Sequence, residues 1–207
     1  MKPLSFAVGF LPWIAFSFVA HRVAANAVAW SALLAVAMTV VALALAARTH
    51  GPSTLNWISL VLFGGIAVAG FAGDAEVDDW LYTWGQPLVG IVLGLVVLAT
   101  ASSRPFTAEY ARLSTPREQW GSPTFRSVNR VISAAWGAGL LVVGLAGVLV
   151  TLLDEHATSR SSDHLAELLL NWVVPIGVIW GLISFSASYP DRATGPRPQP
   201  AAGSQRS

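Results

Sequence analysis

Six long apolar stretches separated by short polar intervals dominate the chain: Leu4–Ala20, Val23–Ala47, Leu55–Ala72, Leu81–Thr100, Val128–Leu153 and Leu165–Ala187. A helix crossing the hydrocarbon core of a bilayer needs about 20 largely apolar residues. Each stretch meets that length, and none alternates with period two, so the pattern predicts helices and not barrel strands. The first is the shortest and contains Pro12. Its start, Met1-Lys2-Pro3, has some character of a signal peptide. The junction Ala20-His21-Arg22 runs straight into the next apolar stretch, however, which favours a retained first span.

Composition agrees with this pattern. Of 207 residues, 54% are apolar and 11% charged, with a mean hydropathy of +0.60. Soluble domains carry about 25% charged residues. A soluble globular enzyme, a disordered chain and a collagen-like fibre are thereby excluded. The expected fold class is an all-α integral membrane protein. One membrane domain, residues 1–189, holds six transmembrane helices in a bundle, and a tail over 190–207, rich in Pro, Gly and Arg, is expected to be disordered.

Charge supplies the orientation. With the N-terminus in the cytoplasm and six spans, ten basic residues fall inside and only Arg22 and Arg160 outside. Excess Lys and Arg on cytoplasmic loops is the main determinant of topology. An N-in, C-in arrangement follows. Eight acidic residues, among them Asp74, Glu76, Asp78 and Asp79, fall on the outer side, and Glu109, Glu118 and Asp191 on the inner. Trp57, Trp80, Tyr82, Trp84, Trp172 and Tyr189 lie near span ends, at the depth amphipathic rings prefer. The overall charge of +1 predicts neither an acidic partner nor a nucleic acid.

Small residues at helical spacing predict where helices approach one another. Gly90 and Gly94 form a GxxxG in the fourth span. Gly65, Ala69 and Gly73 make a comparable seam in the third, and Ala135, Gly139, Gly144 and Gly147 in the fifth. Packing within the bundle is the first reading of these seams, and a homodimer contact the alternative.

The cytoplasmic connector, residues 104–127, carries the most local information. Thr115-Pro116-Arg117-Glu118 has the form of a capping box with proline at the first helical position, and predicts a short helix. Ser122-Pro123 predicts a second start, leading into the fifth span. The preceding Pro105–Arg112 block predicts an amphipathic helix lying at the interface, with Phe106, Tyr110 and Leu113 on one face. Arg112, Arg117, Arg126 and Arg130, with Trp120, are the residues expected to meet anionic headgroups or a membrane-protein partner at the cytoplasmic face.

Residues with chemical potential are few. No ionisable side chain lies near the middle of a span, which argues against a proton relay or a voltage sensor. The mid-span polar residues Ser17, Ser31, Thr39, Ser133, Ser184 and Ser186 are expected to bond carbonyls of their own helices. His156 and His164 share an outer loop with acids, but their spacing matches no zinc signature. Asp74-Ala75-Glu76-Val77-Asp78 alternates as a calcium loop does, yet Asp79 stands where that loop needs glycine, and no glutamate stands at its twelfth position. There is no cysteine, hence no disulfide, thiolate metal site or thiol nucleophile. No catalytic residue, metal site or cofactor is assigned. A lipid-acting enzyme would have to rely on Glu109, Glu118, Glu155 or His156 at the interface.

Several short motifs occur in an order that resembles the intracellular septation protein A family, small bacterial inner-membrane-spanning proteins. They are Pro12 and Phe16, the run Ile58-Ser59-Leu60-Val61-Leu62-Phe63-Gly64-Gly65, then Asp79-Trp80, Trp84 and Pro87, and finally Pro116, Trp120, Asn129, Trp136 and Gly144. The resemblance implies a multi-span envelope protein linked to septation and envelope synthesis, with no established enzymatic reaction. That family is usually drawn with about five spans, against the six read here from hydropathy. The expected function is therefore non-enzymatic, by partner docking or membrane organisation. The alternative is a small transporter or channel for a neutral or cationic solute or a lipid, prompted by the acidic outer face and the proline-interrupted spans.

Overall fold

A computed structural model describes residues 12, 13, 15, 16, 26–47, 53–156 and 169–194. Among these the chain is all-helical. Helix α1 spans Ala27–Ala47, α2 Thr54–Ala72, α3 Ala75–Ala101, α4 Phe106–Ala111, α5 Pro123–His156 and α6 Val174–Thr194. A single 3-10 turn, Arg117–Gln119, precedes α5, and a π-helical turn, Leu169–Val173, leads into α6. Four helices, α1, α2, α3 and α5, are long and apolar enough to cross a membrane. The stretch Leu4–Ala20 lies mostly outside the described residues, although Pro12, Trp13, Ala15 and Phe16 are helical.

The ends of the helices follow local chemistry. Asn26 adopts a left-handed φ of 56° immediately before α1, a conformation asparagine tolerates better than most residues. Its backbone N–H donates to Asp78 Oδ2 at 3.1 Å, which ties the start of α1 to the start of α3. Helix α3 begins six residues before the apolar stretch that predicted it. Asp74 caps it by accepting from Val77 N at 3.1 Å, and Glu76 and Asp78 occupy its first turn. Acidic side chains are favourable at that positive end of the helix. Ser53 caps α2 in the same way through Asn56 N, and Ser122 receives the N–H of Phe125 at the start of α5.

Packing is antiparallel and close. Helices α3 and α5 form the most extensive pair. A Cβ on Gly90 would lie 3.1 Å from Gly144 Cα, and one on Gly94 would lie 2.8 Å from Leu141 N and 2.9 Å from Gly137 O. These contacts are with backbone, so the two helices cross at a distance only glycine permits. Gly139 faces Leu182 and Val178 of α6, and Trp136 Nε1 donates to Ser186 Oγ at 2.9 Å across the same pair. Gly70 packs on Ala29, so α1 and α2 also run antiparallel. The seam expected along Gly65 and Ala69 does not form: both are exposed, and nothing lies within 4 Å of a Cβ on Gly65. The face of α2 that packs is instead Leu55, Ser59, Phe63 and Ala67, because Trp13 and Phe16 stack on Phe63 there.

The hydroxyls within the helices mostly return to their own backbone. Ser31, Thr39, Ser59 and Ser186 donate to the carbonyls of Ala27, Ala35, Leu55 and Leu182. Ser133 departs from this pattern and meets Thr107 of α4. The outer surface of the long helices is apolar, with Val61, Val68, Leu145 and Ile176 all more than half exposed. Helix α6 continues through Pro190 to Thr194, so its last turn lies in the tail expected to be disordered. Phe185 and Tyr189 stack at 4.9 Å just before the proline and consolidate that turn. The remainder of the tail lies outside the described residues.

Candidate anion site at the arginine end

Antiparallel packing brings the start of α2, the end of α3 and the start of α5 to one end of the bundle, with α4 between them. All six basic residues among the described ones are at this end: Arg104, Arg112, Arg117, Arg126, Arg130 and Arg192. Asp74, Glu76, Asp78 and Asp79 are at the other.

Helix α4 is the keystone of the arginine end. The sequence predicts it as an interfacial helix with Phe106, Tyr110 and Leu113 facing the membrane together. The structure corrects this: Phe106, Thr107, Ala108 and Ala111 are buried, and Leu113 is exposed. The cause is Thr107, which is fully buried. Its Oγ1 reaches Asn129 O at 3.0 Å and Ser133 Oγ at 2.9 Å, and its N–H reaches Ser133 Oγ at 3.3 Å. A buried hydroxyl needs such partners, and both lie on α5, so the short helix is drawn into the bundle.

Glu109 then turns toward α2. Its carboxylate accepts from Thr54 N at 3.0 and 3.2 Å and from Thr54 Oγ1 at 2.6 Å. An acid at a helix N-terminus satisfies free N–H groups and complements the helix dipole. The neighbouring Tyr110 has its hydroxyl pKa raised by burial, with Glu109 pushing the same way and a hydrogen bond from Ser53 opposing.

The expected capping box does not close. No side chain caps the turn at Arg117–Gln119, and a single 3-10 turn replaces the predicted helix. Trp120 supplies the reason, because its Nε1 donates to Thr115 O at 2.9 Å and folds the segment back on itself. The guanidinium of Arg112 lies 5.4 Å from the centre of the Trp120 ring, and that of Arg117 lies 5.7 Å from it. Such stacking is worth about 0.5–1 kcal/mol at exposed sites, enough to bias the orientation of the guanidinium groups.

The outcome is an open cleft of about 630 Å³. Arg104, Arg112, Arg126 and Arg130 line it, with Glu109, Thr54, Ser102 and Ser103 as further polar walls and Trp57, Trp120, Phe125 and Ala108 as apolar ones. Of the residues singled out by sequence, Arg112, Trp120, Arg126 and Arg130 come together here, whereas Arg117 stacks on the Trp120 ring without lining the cleft. Arg104, Trp57 and Thr54 are additions. Their only sequence signal is proximity to span ends, and Thr54 stands 55 positions from Glu109.

Among the described residues no ion pair joins any of these four arginines to a carboxylate, since Glu109 is engaged at Thr54. Guanidinium groups are always charged and present N–H donors suited to phosphate oxygens. The cleft therefore offers donors that an anion could accept from. No group of three or more His, Asp or Glu side chains among the described residues is arranged to hold a metal. Comparison with known proteins returned no matching family model, no matching curated protein and no matching solved structure.

Proposed function

We propose that this chain is a non-enzymatic, multi-span protein of the bacterial inner membrane that organises the membrane, or docks an envelope partner, through anionic headgroups held at its arginine end. The observation that carries the reading is the cleft with four arginines, none of them paired to a carboxylate among the described residues. Membrane anchoring through basic clusters draws on the negative surface of the cytoplasmic leaflet. The gathering of the described basic residues at one end supports placing that end in the cytoplasm. The full arrangement is six spans, N-in and C-in, with Leu4–Ala20 and Leu165–Ala187 completing the four long apolar helices. The link to septation rests on the sequence resemblance alone.

The experiment is to extract the protein with its surrounding lipid in detergent-free particles and compare that shell with the bulk membrane. Anionic lipids are expected to be enriched by about threefold or more, as basic clusters near a leaflet attract them. Substituting Arg126→Gln and Arg130→Gln together should return the shell to bulk composition. A wild-type shell with bulk composition would remove the reading.

A further inference from the structure

The arrangement of charge in the cleft says more than that it prefers anions. Four arginines and one glutamate line it, a formal charge of +3. The glutamate is committed to Thr54 through three contacts and does not neutralise the arginines by pairing. One phosphodiester offers a single negative charge, and one or two guanidinium forks saturate its free oxygens. It would leave most of this charge uncompensated. The volume, about 630 Å³, is in the range of sites for whole ligands and exceeds what one phosphate group occupies.

We infer that the cleft is a receptor for a ligand with two phosphate groups held close together, as in a diphosphate ester or a bisphosphate lipid headgroup, with Arg104, Arg112, Arg126 and Arg130 as its ligands. The inference rests on the anion-binding reading above and specifies its ligand. Arg126 and Arg130 are one turn apart on α5, a spacing that puts both on one helix face. Arg104 follows the end of α3, and Arg112 follows α4. The four charges therefore line the cleft from three elements, where a single helix would present only a stripe. Trp120 holds Arg112 by stacking and is itself fixed through Thr115. Two phosphates held close together match this geometry because the second group meets arginines that the first leaves free. Trp57, half-exposed one turn into α2, places an interfacial aromatic at the rim, where the glycerol and upper chains of a lipid ligand would lie.

The test uses the full chain in phosphatidylcholine nanodiscs containing either cardiolipin or twice that molar amount of phosphatidylglycerol, so that phosphate is matched. Lipid retained per protein is read by mass spectrometry. Cardiolipin should be retained at least about tenfold better per phosphate, the ratio a difference of one further well-made contact produces. R126Q/R130Q should abolish the preference, R104K should weaken it while keeping the charge, and R192Q, outside the cleft, should leave it intact. Circular dichroism confirms that each variant is folded.

Inorganic pyrophosphate added in competition identifies the source of the ligand. Displacement of cardiolipin by pyrophosphate, but not by orthophosphate, assigns the cleft to a soluble diphosphate. Retention of cardiolipin against both assigns it to a lipid, and either result upholds paired phosphates as the ligand. Equal retention of the two lipids per phosphate overturns the inference and leaves anionic-lipid binding standing. No preference for either over phosphatidylcholine overturns both. A preference that survives R126Q/R130Q also overturns the assignment to this cleft.

Discussion

At the scale of single residues, Thr107 and Tyr110 decide how the arginine end is built. Thr107 has no exposed surface, and its hydroxyl joins α4 to two residues of α5. Thr107→Val keeps the shape and leaves Asn129 O and Ser133 Oγ short of a partner. Loss of such a buried bond costs about 1–3 kcal/mol. The unfolding midpoint in detergent should fall accordingly, and Ser133→Ala added to it should cost less than it does alone, because the two share one interaction. Tyr110 makes a prediction in pH. Its folded pKa is raised above the ordinary 10.0, so the folded state keeps the proton longer than the unfolded state does. Its contribution is complete below pH 10 and is lost as pH rises through the raised value. Thermal melts between neutral and strongly alkaline pH should show a steeper loss in wild type than in Tyr110→Phe. Parallel curves would remove Tyr110 as the cause.

At the scale of elements, the α3–α5 crossing tests which glycines matter. A methyl at Gly94 meets backbone atoms of α5 at under 3 Å, and backbone cannot swing aside as a side chain can. Gly94→Ala should therefore separate the helices and destabilise by about 1–3 kcal/mol, in the range of overpacked cores. Gly65→Ala has open space and should be neutral or stabilise by up to about 1 kcal/mol, through helix propensity alone. Unfolding in a mixed-detergent titration distinguishes the two. The sequence marked both positions equally, because a small residue at helical spacing looks the same whether it meets a neighbour or the surroundings. What separates them is Trp13, which bonds Ser59 at 2.9 Å and stacks on Phe63, so that a different face of α2 turns inward.

At the scale of the whole molecule, the distribution of charge between the two ends makes the topology testable. The chain has no cysteine, so single cysteines introduce unique labels. Ser103→Cys and Ala75→Cys are exposed at opposite ends of α3. In intact cells an impermeant maleimide should label Ala75→Cys, and Ser103→Cys should react only after the membrane is opened. The reverse pattern would invert the orientation and place the arginine cleft outside.

The apolar runs determined that the chain is helical, roughly where each long helix lies, and which connector holds the basic residues. Those properties depend on hydropathy and local capping, which act over a few positions and can be read along the chain. Even the early start of α3 has a local cause, in Asp74. Tertiary structure decided what the connector is. Burial of Thr107, commitment of Glu109 to Thr54 and folding back of Trp120 onto Thr115 convert an expected surface helix and capping box into the wall of a cleft. Two of these three contacts join residues 22 or more positions apart. Their energy exists only once the helices have packed, which is why no local pattern announces it.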